Sequence, residues 1–293
     1  MTDGKVEVSQ EDIDRVMGKP QKTAQQIEMD AIKKTMAGIK HKIIVCSGKG
    51  GVGKSTVAAN LAIALASQGL NVGILDVDIT GPNIAKMLNL EGQRPEVLPG
   101  ENLFLPINGP LNIKVMSMAF LLETPDTPVI WRGPMKMKAI RQFLAEGKWG
   151  SMDYLVSDLP PGTSDETLDI MQLTEGDVVI VTTPQDVATL DSRKTVMMAK
   201  GMKRNVVGIV ENMSGFSVEC PDCHKTHTYD LFGSGGGEKA AQELKVPFLG
   251  SIPIEQGIRQ GGDDGLPFTL KDPESASSKA FQDIVSKIRK SLE

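Results

Sequence analysis

From Lys42 onward, hydrophobic residues gather into short continuous runs, separated by stretches with apolar residues at helical spacing. Lys42–Cys46 (KIIVC), Asn71–Asp76 (NVGILD), Ile113–Met116, Tyr154–Asp158 (YLVSD), Asp177–Thr182 (DVVIVT), Asn205–Glu211 (NVVGIVE) and Phe248–Ile252 are rich in β-branched residues and predict strands. The spacing predicts helices over Lys54–Ser67, Met135–Glu146 and Val187–Gly201, and a closing amphipathic helix over Pro273–Glu293. A strand buried on both faces reads as a continuous apolar run. The alternation therefore predicts an α/β fold, a doubly wound, mostly parallel sheet with helices on both faces. Glu91–Pro110, rich in Pro and Gly, predicts an excursion between strands, and Ser214–Gly237 a second break. Residues 1–40 hold few strand formers and one helical stretch around Thr23–Ile39. They predict an N-terminal arm, partly helical or flexible, ahead of a single domain at 41–293 with a cysteine-bearing loop at 214–237.

Composition narrows the function classes. The 293 residues are 40% hydrophobic and 24% charged, as in ordinary globular proteins. No apolar run reaches the roughly 18 residues of a membrane span, and the polar start MTDGKVEVSQEDID is no signal peptide. A net charge of −5 argues against binding nucleic acid through bulk charge. The expectation is a cytoplasmic protein with neither nucleic acid nor membrane as partner. Thirty glycines against eight Phe and two Tyr suit tight backbone turns. Three cysteines without a secretion signal suit thiol or metal chemistry in a reducing compartment better than disulfides.

Gly48-Lys49-Gly50-Gly51-Val52-Gly53-Lys54-Ser55 fits G-x-x-x-x-G-K-[ST] between a predicted strand and a predicted helix. Glycines let backbone N–H groups surround phosphate oxygens, and the helix N-terminus adds positive potential. Lys54 would reach the β- and γ-phosphates, Ser55 would ligate Mg²⁺ and Thr56 would help hold the α-phosphate. Asp158 ends its strand before Leu-Pro-Pro-Gly, where a Mg²⁺ shell needs a carboxylate. Gly162 would then donate its N–H to a γ-phosphate as a switch. Asp76 and Asp78 lie on one side of the extended chain, Asp76 nearer the Mg²⁺ shell. Pro184 and Gln185 would line a base pocket more loosely.

Cys220-Pro221-Asp222-Cys223 places two thiols at a spacing that grips one metal centre from a single turn. Two ligands make a half-site. Two copies could meet on a two-fold axis and bridge a [4Fe–4S] cluster. Alternatively, His224 and His227 could complete a zinc site, or the pair could be structural. Cys46, in the strand before the phosphate loop, reads as a buried small hydrophobe.

With Lys49 inside it, GKGGVGKS resembles the deviant Walker A loop of the MinD/Mrp group of SIMIBI-like P-loop ATPases. ENMSGF, CPDC, LFGSGGGEKAAQELKVPFLGSIP and Trp131-Arg132-Gly133-Pro134 resemble the Mrp/ApbC branch, cytosolic Fe–S cluster carriers. The resemblance covers about residues 41–270. It implies Mg²⁺-dependent hydrolysis of ATP by a homodimer, in which Lys49 reaches the partner's phosphates, Asp78 orients the attacking water and Asn212 meets the adenine edge. It implies a [4Fe–4S] cluster on Cys220 and Cys223, delivered to apo Fe–S proteins. The rival expectations are a ParA/MinD-like positioning ATPase, for which Ile284–Lys290 is basic and part-apolar, and a zinc-stabilised scaffold that dimerises on nucleotide.

Overall fold

The computed structural model describes residues 22–79, 81–101, 103–122, 124 and 133–293. Helix α1 (Ala24–Ala37) opens on a capping box. Thr23 accepts from the Gln26 N–H, and the Gln26 side chain accepts from the Thr23 N–H. Its Ile32 and Met36 are buried against the domain. Strand β1 (Ile39–Ser47) begins ahead of the apolar run that predicts it.

The chain then alternates. Helix α2 (Lys54–Ala66), β2 (Val72–Asp76) and a short α3 (Ile84–Met87) follow. The predicted excursion is an antiparallel ribbon, β3 (Glu96–Leu98) with β4 (Leu103–Leu105), leading to β5 (Ile107–Asn108) and β6 (Lys114–Ser117). Next come α4 (Gly133–Glu146), β7 (Met152–Asp158), α5 (Asp165–Thr174), β8 (Asp177–Thr182) and α6 (Asp186–Gly201). The chain closes with β9 (Val206–Glu219), β10 (Thr226–Tyr229), α7 (Gly236–Leu244), β11 (Phe248–Ile254), α8 (Gln256–Asp264), α9 (Phe268–Lys271) and α10 (Ala276–Leu292). Of the motifs the resemblance rests on, Trp131 and Arg132 lie outside the described residues.

The parallel sheet runs β11-β9-β8-β1-β7-β2-β6, with β5 and β10 added antiparallel. Alternation sorts each strand between two cores. Ile43, Val45, Ile74 and Val156 face α2 and α10, while Ile44, Cys46, Leu75 and Leu155 face the other layer with Ile140 and Met171. Helix α2 is apolar around its whole circumference because it lies between the sheet and α10. The basic, part-apolar stretch Ile284–Lys290 buries Ile284, Val285 and Ile288 in the same core, so it is a packing helix. No described helix is long and apolar enough to cross a membrane.

Register gathers the chemistry at one edge. Asp158 pairs with Asp76 on one side and Val45 on the other, so the C-terminal ends of β1, β2 and β7 converge where open α/β sheets bind ligands. The predicted break at Ser214–Gly237 is different in the structure. Strand β9 runs on to Glu219 and folds back as a hairpin, pairing Phe216 with Tyr229 and Glu219 with Thr226. Strand formers such as Phe216, Val218, Thr226 and Tyr229 on both sides of a tight turn account for it.

Candidate functional site

The phosphate loop connects β1 to α2. Gly51 and Gly53 both take left-handed backbone, φ 79° at each, which a side chain would strain. Gly48 has no room for one, since a Cβ there would lie 2.3 Å from the Asp191 carbonyl carbon on α6. The loop opens onto a cleft of about 210 Å³ lined by Lys49, Gly51, Lys54, Ser55, Asp78 and Pro161.

Lys54 is only 6% exposed. Its ammonium donates to Asp158 Oδ1 at 2.6 Å and Ser55 Oγ at 3.2 Å, with Asp78 Oδ2 at 3.6 Å. A buried ammonium needs a counter-charge, and Asp158 supplies it. Asp158 Oδ2 is buried with no hydrogen-bond partner. Burial pushes the Asp158 carboxyl pKa upward, opposed by Lys54 and the Ser55 hydroxyl. Asp76 is raised too, first by burial and then by the Asp158 charge. Two carboxylates, Asp158 and Asp78, beside one ammonium, with an orphaned Asp158 oxygen near the Ser55 hydroxyl, fit the hard-oxygen shell of a divalent cation. Ser55 and Asp158 are the residues that would hold Mg²⁺.

Asp76, expected nearer that shell, spends both oxygens on the protein. Oδ1 accepts from the Asp78 N–H at 3.2 Å, and Oδ2 accepts from Ser117 Oγ at 2.8 Å and the Ile84 N–H at 3.3 Å. It therefore shapes the loop that carries Asp78. Gly162, at φ +87°, donates its N–H to the Ser47 carbonyl at 2.8 Å, tying the Pro160–Gly162 turn to the phosphate loop.

Asn212 is buried, and its Nδ2 donates to the Val52 carbonyl at 2.9 Å. It also lines a second cavity of about 300 Å³ with Thr56, Met213, Phe232, Ile258 and Arg259. Pro184 and Gln185 are not among the residues lining it. Pro184 packs instead on the start of α7, its carbonyl 2.1 Å from where a Cβ of Gly236 would fall.

Cys220 and Cys223 sit in the turn at the hairpin tip, Cys220 half-buried and Cys223 exposed, and both are free thiols. The turn is held by Cys220 N–H to Lys225 O and His224 N–H to Cys220 O, each 2.9 Å. The backbone N–H groups of Cys223 and then Asp222 lower the Cys220 thiol pKa. That favours the thiolate, the form that binds metal. Among the described residues, no group of three or more His, Cys, Asp or Glu side chains lies close enough together to hold a metal ion. The His227 ring lies 6.5 Å from that of Tyr229. Cys46 is fully buried and its thiol is pushed up to about 12, so it is inert.

Several residues at the site escape the motifs. Ser47 Oγ donates to the Lys49 carbonyl at 2.9 Å, and Asn83 and Met87 close the phosphate cleft. Glu211, wholly buried, accepts at Oε1 from Ser214 Oγ at 2.6 Å and the Gly235 N–H at 3.2 Å, and at Oε2 from the Gly237 N–H at 2.6 Å. It thus joins the outgoing and returning chains at the hairpin root. Its only sequence signal was a carboxylate at the end of an apolar strand.

A phosphate loop on the central strand of a doubly wound sheet, with buried acids at the neighbouring strand ends, defines a P-loop NTPase. Two similar solved structures agree. An Archaeoglobus fulgidus nucleotide-binding protein in complex with ADP is 40% identical, at TM-score 0.70, over 82% of this chain and 92% of its own. The Pyrococcus furiosus cell division ATPase MinD is 25% identical, at TM-score 0.63, over 86% and 99%. Residues 38–289 match the family model described as ParA: NUBPL iron-transfer P-loop NTPase, and the chain belongs to that family. Relatives described as iron-sulfur cluster carrier proteins are 51% identical in Methanocaldococcus jannaschii, over 89% of this chain and 88% of the relative. The Saccharolobus solfataricus relative is 46% identical over 93% and 91%.

Proposed function

We propose that the protein is a homodimeric, Mg²⁺-dependent ATPase that binds a [4Fe–4S] cluster between its subunits and transfers it to apo Fe–S proteins in the cytoplasm. One observation carries the reading. Two free thiols, one with a depressed pKa, stand at the tip of a hairpin rooted beside the nucleotide cleft, and they form half a metal site. A second copy supplies the other two thiolates. Cluster transfer is then ligand exchange with the recipient's thiolates and needs no further catalytic side chain.

At the cleft, backbone N–H groups of Gly48–Ser55 cradle the phosphates and Thr56 holds the α-phosphate. Lys54 exchanges Asp158 for the β- and γ-phosphates, which frees the Asp158 carboxylate for the metal shell. Mg²⁺ would neutralise charge on the phosphate oxygens. Asp78 orients the attacking water, and Lys49 stabilises charge on the partner's γ-phosphate. The Gly162 N–H leaves Ser47 for a γ-phosphate oxygen.

The test is a pair of variants. Lys54→Ala is expected to lower ATP turnover by about 10²-fold or more, since it removes a main charge-stabilising group. Cys220→Ala and Cys223→Ala are each expected to lose the visible absorbance that follows anaerobic reconstitution with iron and sulfide. Full turnover in the first variant, or full absorbance in the others, would remove the corresponding half of the proposal.

A further inference from the structure

We propose that Phe232 is a base-contacting residue, and that the cysteine hairpin itself builds part of the nucleotide-base pocket. The inference rests on the reading of Gly48–Thr56 as an ATP site. Gly53 and Thr56 line both the phosphate cleft and the 300 Å³ cavity, so the two spaces adjoin at the α-phosphate end. A nucleotide seated in the first directs its base into the second. That cavity offers a flat ligand Phe232, Met213 and Ile258 as apolar walls and the Asn212 amide as a polar edge.

Two of these walls belong to the hairpin. Met213 precedes its first paired residue, Phe216, and Phe232 follows its last, Tyr229. Met213 holds left-handed backbone, φ 59°, unusual for a residue with a side chain and a mark of a locally constrained turn. Phe232 remains 40% exposed, an aromatic face that a stacked base would cover. Glu211 adds rigidity between the two walls, because it grips both chains of the hairpin root next to Asn212. A base wedged against Met213 and Phe232 sets the separation and tilt of the stems. The paired strands Phe216–Glu219 and Thr226–Tyr229 carry that tilt to Cys220 and Cys223. Base binding and thiol geometry are then one linked equilibrium, and each biases the other by the same factor. This route is separate from the γ-phosphate switch at Gly162.

The experiment compares ATP with inorganic tripolyphosphate on the full chain. Phe232→Ala is expected to weaken ATP binding about tenfold, a typical loss for one stacking contact, and to leave tripolyphosphate binding unchanged. Phe232→Trp, which keeps the aromatic face, is expected to retain ATP affinity. Saturating ATP is expected to change the iodoacetamide alkylation rate of Cys220 and Cys223 several-fold in the wild-type chain, while saturating tripolyphosphate leaves it alone. Unchanged ATP affinity in Phe232→Ala overturns the proposal, as does alkylation indifferent to bound ATP. A wild-type chain that binds tripolyphosphate as tightly as ATP overturns the base pocket and leaves the phosphate loop standing. A chain that binds neither overturns both.

Discussion

The Lys54 ammonium and the Asp158 carboxylate are both buried, and each supplies what the other's burial requires. Their 2.6 Å contact could not be seen in the sequence, where 104 positions separate them. Lys54 is legible because its neighbours along the chain spell a local motif, and a phosphate loop needs contiguous backbone. Cys220 shows a second residue-scale effect. N–H groups of its own turn aim at the sulfur and stabilise the thiolate, so its pKa falls below the ordinary thiol value. A lowered pKa raises the reactive fraction at any pH beneath that ordinary value. The pH midpoint of Cys220 alkylation, followed by peptide mass spectrometry, is therefore expected below that of an unperturbed cysteine in a short peptide measured alongside it. A midpoint at or above it would contradict the assignment.

Strands and helices were legible wherever burial on both faces left continuous apolar runs, as in β8, which spans the same Asp177–Thr182 that the pattern predicts. The hairpin of β9 and β10 was not. Ser217, Val218 and Thr226–Tyr229 are exposed and mixed in polarity, and the pairing depends on a turn that brings Phe216 opposite Tyr229. What anchors it is Glu211, whose partners Ser214, Gly235 and Gly237 are brought together only by the fold. Replacing that carboxylate leaves the Gly237 N–H buried and unsatisfied, at a cost of about 1–3 kcal/mol. Glu211→Ala is thus expected to speed amide hydrogen exchange at residues 214–219 and 226–237 and to leave β1 protected. Equal loosening throughout the sheet would assign Glu211 to global stability; no change would deny it a structural role.

At the scale of the whole molecule, the two sites are incomplete in different ways. The nucleotide cleft carries its own lysine and acids, whereas the hairpin tip offers two thiols where a cluster takes four ligands. Under the proposed two-fold pairing, a second copy would complete the thiol set and would bring Lys49 of one chain toward the other's phosphates. Dimers mixed from Lys49→Ala and Lys54→Ala chains contain one site with an intact Lys54 and a Lys49 from across the interface. They are expected to regain part of the turnover that each variant lacks alone, and no recovery would place Lys49 outside the trans role.

Native mass spectrometry of the anaerobically reconstituted protein tests the shared cluster most directly. The expected result is a metal-bearing species with the mass of two chains plus one [4Fe–4S] unit, absent when Cys220 and Cys223 are replaced. A single chain that holds the metal alone, or a dimer free of iron after reconstitution, would contradict it.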